Sequence, residues 1–193
     1  MTIDFSVQTR AFLGLYELEL NRHLRRLCLP GTRSFDVGAQ FGYDALILAK
    51  LGEEQVASFE PDPASLEVMI ANFALNPMLG PLIYPVQALV GTGSGNTLSL
   101  DDYVASAEGF MPDFVKVDVD GAEAEVLEGA RRLLAERRPH LLVEVHSEHL
   151  ERVCGRLLVD HGYRPIIVNQ RTVLREYRPI AHNRWLVADG SPR

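Results

Sequence analysis

Two acidic runs, each ending an apolar stretch, carry the residues best suited to chemistry. DFVKVDVDGAE at 113–123 closes on Asp118, Asp120 and Glu123, and LVEVH at 142–146 closes on Glu144 and His146. In an extended chain alternate residues share a face, so Asp118 pairs with Asp120 and Glu144 with His146. Acidic groups and a histidine at buried strand tips are costly unless they are paired or functional. A histidine, with an ordinary pKa of about 6.5, is suited to taking the proton of a hydroxyl. His146, oriented by Glu144, is therefore the candidate base, and Asp118 is placed to hold a cofactor amine or the acceptor. A purely structural reading makes Asp120 a helix N-cap and pairs Asp118 with Lys116. Glu123 taken alone reads as a first-turn residue favoured by the helix dipole.

A second signal lies upstream, in DVGAQFG at 36–42. It ends one apolar run and opens a helical one, the position where open α/β sheets bind ligands. Gly38 permits close backbone approach to a ligand, Gly42 lets the helix start near its strand, and free amides at that start favour a carboxylate or phosphate. The spacing is G-x-x-x-G, not the dinucleotide pattern G-x-G-x-x-G. Glu60 follows 22 residues after Gly38. A carboxylate there accepts hydrogen bonds from both ribose hydroxyls of an adenosine and repels a 2′-phosphate. NAD and S-adenosylmethionine remain as candidate cofactors.

The elements that must position these groups alternate. Leu13, Tyr16, Leu20, Leu24 and Leu27 recur at helical steps, with Arg22, Arg25 and Arg26 largely opposite, until Pro30-Gly31 stops the helix. Buried strands are then predicted at Ser34–Val37, Gln55–Phe59, Leu82–Val90, Phe114–Val119 and Leu141–Val145. Helices are predicted between them at Gly42–Leu51, Pro63–Leu75 and Ala122–Ala135, and a further one at Glu148–His161. Asp62 and Pro63 are an N-cap and first helical residue. Such alternation gives a parallel sheet with helices on both faces. Two more strands, Pro165–Asn169 and Arg184–Ala188, have no helix between them, so one strand near the sheet edge runs in reverse. The whole is expected to be one domain over 1–193, a helical segment at 1–31 preceding an α/β core at 32–193. A dinucleotide fold builds a second parallel half, so the reversed strand favours S-adenosylmethionine.

Composition narrows the classes. There are 19 Lys+Arg against 26 Asp+Glu, a net charge of −7, which argues against a nucleic-acid partner. Cys28 and Cys154 stand too far apart for a disulfide framework or a cysteine zinc site. No apolar window reaches the roughly 18 residues of a membrane span. Met1–Arg10 has no leader pattern. A cytoplasmic protein without a membrane partner is expected. His23, His140, His149, His161 and His182 read as surface or capping residues, Trp185 as core, and Arg131-Arg132 and Arg137-Arg138 as solvated helix-end charges.

The chain resembles the FkbM family of S-adenosylmethionine-dependent methyltransferases. The resemblance runs over roughly residues 12–147 and is carried by FDVGAQFGYDA (35–45), SFEPDP (58–63), LSLDDYV (98–104), DFVKVDVDGAEAEVLEGA (113–130) and RPHLLVEVH (138–146), with Tyr16-Glu17 and the LPG at 29–31 similar to the family's start. It implies a class I Rossmann-like methyltransferase fold and O-methylation of a hydroxyl on a sugar, glycan or secondary metabolite. It implies cofactor contacts at Asp36, Gly38, Gln40, Gly42 and Glu60 and around Ala88, and a reaction cleft near Asp118, Glu123, Glu144 and His146; with the adjoining Ala39 and Pro61, and Asp118 from its own placement, these make the expected cofactor-binding set. Gln40 replaces the family's usual Asn. The segment VGTGSGNT at 90–97 is short, leaving little to cover an acceptor, and residues after 147 are only loosely similar.

Three rivals stand beside this reading. Asp118-Val-Asp120 spells the D-x-D of nucleotide-sugar glycosyltransferases, although the glycine turn and ribose-type Glu60 argue against it. No metal is assigned to the site, but oxygens of Asp118, Asp120 and Glu144 are hard ligands, and a metal-dependent O-methyltransferase would lose activity to a chelator and regain it with magnesium. A non-catalytic module would bind the cofactor and turn over no acceptor.

Overall fold

The computed structural model of the chain describes residues 18–106, 108–170 and 182–190. Leu13 and the pair at 16–17 lie outside the described residues. A 3-10 turn at Leu18–Leu20 leads into α1 (Asn21–Leu27), β1 (Ser34–Val37), α2 (Tyr43–Gly52), β2 (Val56–Phe59) and α3 (Pro63–Ala74). There follow β3 (Ile83–Val86), β4 (Leu89–Val90), β5 (Thr97–Leu98), α4 (Leu100–Ala105) and β6 (Phe114–Val117). The remainder is α5 (Glu123–Glu128), α6 (Arg131–Glu136), β7 (His140–Val145), α7 (Glu148–Asp160), β8 (Ile166–Asn169) and β9 (Arg184–Ala188).

Seven strands form one sheet in the order β3-β2-β1-β6-β7-β9-β8. Only β9 runs in reverse, wedged between β7 and β8. The chain builds outward from β1 through β2 to β3, then restarts at β6 on the other side, so the order switches between β1 and β6.

Every residue of β1, β2 and β6 is buried, as a parallel sheet covered on both faces requires. On one face Phe35, Val37, Phe59 and Val143 pack with Val126, Leu133, Leu134 and Leu158 of α5, α6 and α7. On the other, Val56, Phe114, Leu142 and Trp185 pack with Leu24, Leu48, Met69 and Phe73 of α1, α2 and α3. The rings of Phe35, Phe59 and Tyr103 meet edge to face with centroids 4.8–5.4 Å apart. The caps fit the sequence: Asp62 accepts from Ser65 N at 2.8 Å to start α3, and Ser147 from Leu150 N at 3.1 Å to start α7.

Three of the foreseen elements end or break early. The strand foreseen over 82–90 ends at Val86, and Leu89-Val90 instead pairs with Thr97-Leu98. The strand foreseen to 119 ends at Val117. The helix foreseen over 122–135 breaks at Gly129, where a Cβ would stand 1.9 Å from Gly91 O. Asp101, distant in sequence, then restarts it by accepting from Arg132 N and Leu133 N, each at 2.8 Å.

His23 is a correction. It is buried, because it falls between Leu20, Leu24 and Leu27 on the inner stripe of its helix, and burial lowers its pKa. Arg138 is more than a solvated charge: it donates to His161 O at 2.7 Å and to Gly162 O at 3.2 Å, and lies over the Tyr163 ring. No helix among the described residues is long and apolar enough to cross a membrane.

Candidate functional site

The carboxyl ends of β1, β2 and β6 border a cleft of about 730 Å³. Gly38, Gln40, Glu60, Pro61, Ala88 and Asp118 line it, as does Asp120. The described lining residues include three carboxylates, Glu60, Asp118 and Asp120, and no lysine or arginine. Asp36, Ala39 and Gly42 stand outside the lining.

The glycine turn differs in its reasons from the sequence expectation. At Gly38 (φ +85°) an added Cβ would stand 1.8 Å from Asp118 O, so the close approach is between β1 and the end of β6. At Gly42 (φ +81°) a Cβ would stand 2.5 Å from the Phe73 ring, so this glycine admits α3. Nor are the turn's amides free. Gly38 N and Ala39 N both donate to Phe59 O at 3.0 Å, and Gln40 N donates to Glu60 Oε2 at 2.9 Å. The expected anion grip by bare peptide N–H groups is thereby corrected at these three residues: β2 and its terminal glutamate consume them.

Glu60 is held from two sides. Its Oε2 takes Gln40 N and its Oε1 takes Asp62 N, each at 2.9 Å, and the side chain still faces the cleft. A carboxylate has about four lone-pair sites, so acceptor capacity remains on both oxygens.

Behind the cleft, the tips of β6 and β7 gather the second group. His146 Nε2 lies 3.6 Å from Asp118 Oδ1, 3.5 Å from Asp120 Oδ1 and 3.6 Å from Glu144 Oε1. Its Nδ1 meets Glu123 Oε1 at 2.5 Å. Glu144, expected to orient His146, thus stands at the Nε2 end of the ring, and the hydrogen bond at Nδ1 is made with Glu123. Glu144 Oε2 accepts from the indole Nε1 of Trp185 at 2.9 Å. Glu123 is fully buried. The signal for it was present: Glu123 precedes Val126 and Leu127 by three and four residues, on the same buried stripe of α5. Asp120 caps nothing, since Ala122 holds the cap position of α5 and the Asp120 side chain is 82% exposed. Burial alone would lower the His146 pKa, but Glu123, Glu144 and Asp118 outweigh it and hold it above its usual value.

A charge network underlies this group. Lys116 is buried and reaches Asp44 Oδ2 at 2.9 Å and Asp118 Oδ2 at 3.3 Å. Asp36, in register with Lys116, is fully buried. Burial pushes its pKa up to about 7, against the pull of Lys116. Asp36 thus lies inside the sheet and outside the cleft lining. As for a metal, donor atoms of Asp118, Glu144 and His146 come within 4.8 Å of one another, so the converging set has the imidazole where the sequence reading had Asp120.

Residues 94–177 match the family model described as the Methyltransferase FkbM domain. A curated relative, hexuronic acid methyltransferase AglP of Haloferax volcanii, is 27% identical over 135 residues, covering 58% of this chain and 55% of that protein. The chain thus spans about half the length of the curated relative it matches. Among solved structures, methyltransferase FkbM from Methylobacillus flagellatus superposes with a TM-score of 0.67 at 20% identity, over 82% of this chain and 43% of that one. Aeropyrum pernix fibrillarin, crystallised with natively bound S-adenosyl-L-methionine, gives 0.62 at 19% identity over 94% and 73% of the two chains. A Thermotoga maritima S-adenosylmethionine-dependent O-methyltransferase gives 0.63 at 13% identity over 92% and 67%. The resemblance to the FkbM methyltransferases is thereby borne out, on a chain that has the class I methyltransferase fold with its single reversed strand.

Proposed function

We propose that this chain is an S-adenosylmethionine-dependent methyltransferase acting on a hydroxyl of a sugar, glycan or secondary metabolite. The observation that carries the reading is the cleft at the switch point, walled by Glu60, Asp118 and Asp120 with no cationic side chain among its described lining residues. A pyrophosphate would meet three like charges there, and the amides of Gly38, Ala39 and Gln40 are already engaged. A cationic sulfonium attached to an adenosine suits the same walls. Glu60 would accept the ribose hydroxyls, Pro61 and Ala88 would flank the nucleoside, and Asp118 would take the amine.

When bound, the cofactor supplies an electrophilic methyl group on a good leaving group. The protein's share is alignment and removal of a proton. His146 Nε2 would accept the acceptor's hydroxyl proton, and Asp118 and Glu144, each 3.6 Å away, would stabilise the imidazolium. The name of the Haloferax relative supports a sugar among the acceptors to be screened.

Calorimetry with S-adenosylmethionine and its demethylated product tests the reading. Both should bind the wild-type chain, and Glu60→Ala should weaken both. Binding of neither overturns the proposal. Binding without turnover of any hydroxylated sugar or metabolite would leave the chain a cofactor-binding module.

A further inference from the structure

We infer that Glu123 is the positioning residue of the site: its buried carboxylate keeps a proton on His146 Nδ1, so that the Nε2 lone pair is presented at the tips of β6 and β7. The inference rests on the reading of His146 as base, and its geometry is independent of any cofactor. Glu123 is fully buried, and a carboxylate in that position is costly unless something specific compensates it. Its Oε1 takes His146 Nδ1 and also Gly121 N at 3.2 Å, while Oε2 is buried without a hydrogen-bond partner. Serving only the fold, a residue here would pair both oxygens or be apolar like its stripe-mates Val126 and Leu127. One oxygen is instead concentrated on the imidazole and on the loop that lines the cleft.

The consequence is a choice of tautomer. A neutral imidazole has one N–H and one bare nitrogen, and the hydrogen bond at one end decides which is which. A carboxylate can only accept, so Nδ1 must donate to Glu123. Asp118, Asp120 and Glu144 then face Nε2, and Asp118 and Asp120 belong to the cleft wall. Glu123 also fixes the ring's direction, since α5 and β7 are joined at this point by the His146–Glu123 bond. Cys154 of α7 is buried, and its thiol is pushed up to about 12 by burial and by Glu123, so it stays protonated.

The test is nitrogen NMR of the His146 ring in the wild-type chain, at a pH above its titration. A protonated Nδ1 and a bare Nε2 are expected. The reverse tautomer overturns the inference, and since this measurement needs no variant, it decides even if substitutions fail to fold. In Glu123→Ala the two tautomers should mix, and kcat should fall about ten- to hundredfold with the KM for S-adenosylmethionine unchanged. Glu123→Gln, whose amide oxygen can still accept from Nδ1–H, should recover most of the rate. Unaltered tautomer and kcat in Glu123→Ala would overturn the assignment. Failure of the wild-type chain to bind the cofactor would sink the functional reading alone, leaving the NMR result to decide Glu123.

Discussion

Trp185 and Glu144 face each other in the β7–β9 register, and the indole Nε1–H closes on Glu144 Oε2 at 2.9 Å. The reversed strand thus does more than finish the sheet. It carries a large core ring whose one polar atom steadies a buried carboxylate next to His146. Replacing Trp185 by Phe keeps an aromatic ring and removes the donor. Loss of a hydrogen bond to a buried charged group, together with lost volume, should cost about 2–4 kcal/mol. In a chain of this size that lowers Tm by roughly 4–16 °C. Thermal unfolding followed by circular dichroism checks it, and a Tm within a degree or two of wild type would show that the contact contributes little.

The raised pKa of His146 sets the direction of a pH–rate profile. As base it must be neutral, so kcat should climb along an acid limb centred above about 6.5. Stability runs the other way: the contribution of protonated His146 is complete below its unfolded value and is lost as pH rises through the folded one. His146→Ala should remove the limb and lower turnover by about two decades or more while cofactor affinity holds. Turnover unchanged in that variant would take His146 out of the role.

Asp36 predicts a second pH dependence, of stability. Its carboxyl is held up near 7 in the fold against 3.8 as an ordinary side chain. Here the unfolded chain ionises first, so stability should fall as pH rises from the unfolded value to the folded one and level off above it. Asp36→Asn abolishes this slope. Its Tm advantage over wild type should therefore be larger near about pH 8 than near about pH 5, and equal differences at the two would show that Lys116 keeps Asp36 ionised throughout.

Gly38 and Gly42 make a matched pair for substitution. Alanine at Gly38 drives a Cβ to 1.8 Å from backbone, the carbonyl of Asp118, at a φ of +85°. At Gly42 the nearest atoms belong to the side chains of Phe73 and Met69, which can shift. Gly38→Ala should accordingly cost several kcal/mol and abolish cofactor binding, while Gly42→Ala costs less. Equal destabilisation in denaturant unfolding would contradict the close approach of β1 and β6.

Local pattern was enough for much of this molecule. The strand–turn–helix order, the cap at Asp62, the reversed terminal strand and the placing of Glu60 at the cleft follow from period, turn chemistry and the sheet's switch point, because those depend on neighbours in sequence. Spacing also says which residues share a face of one element. It does not say what arrives from another element. Whether Nδ1 of His146 would meet Glu123 or Glu144, whether the amides at 38–40 would be taken by Phe59 O and Glu60, and where Asp101 would restart α6 depended on sheet register and helix packing between segments about 20 to 30 residues apart. Those distances are set by how the covered faces fill space, and only the assembled core fixes them.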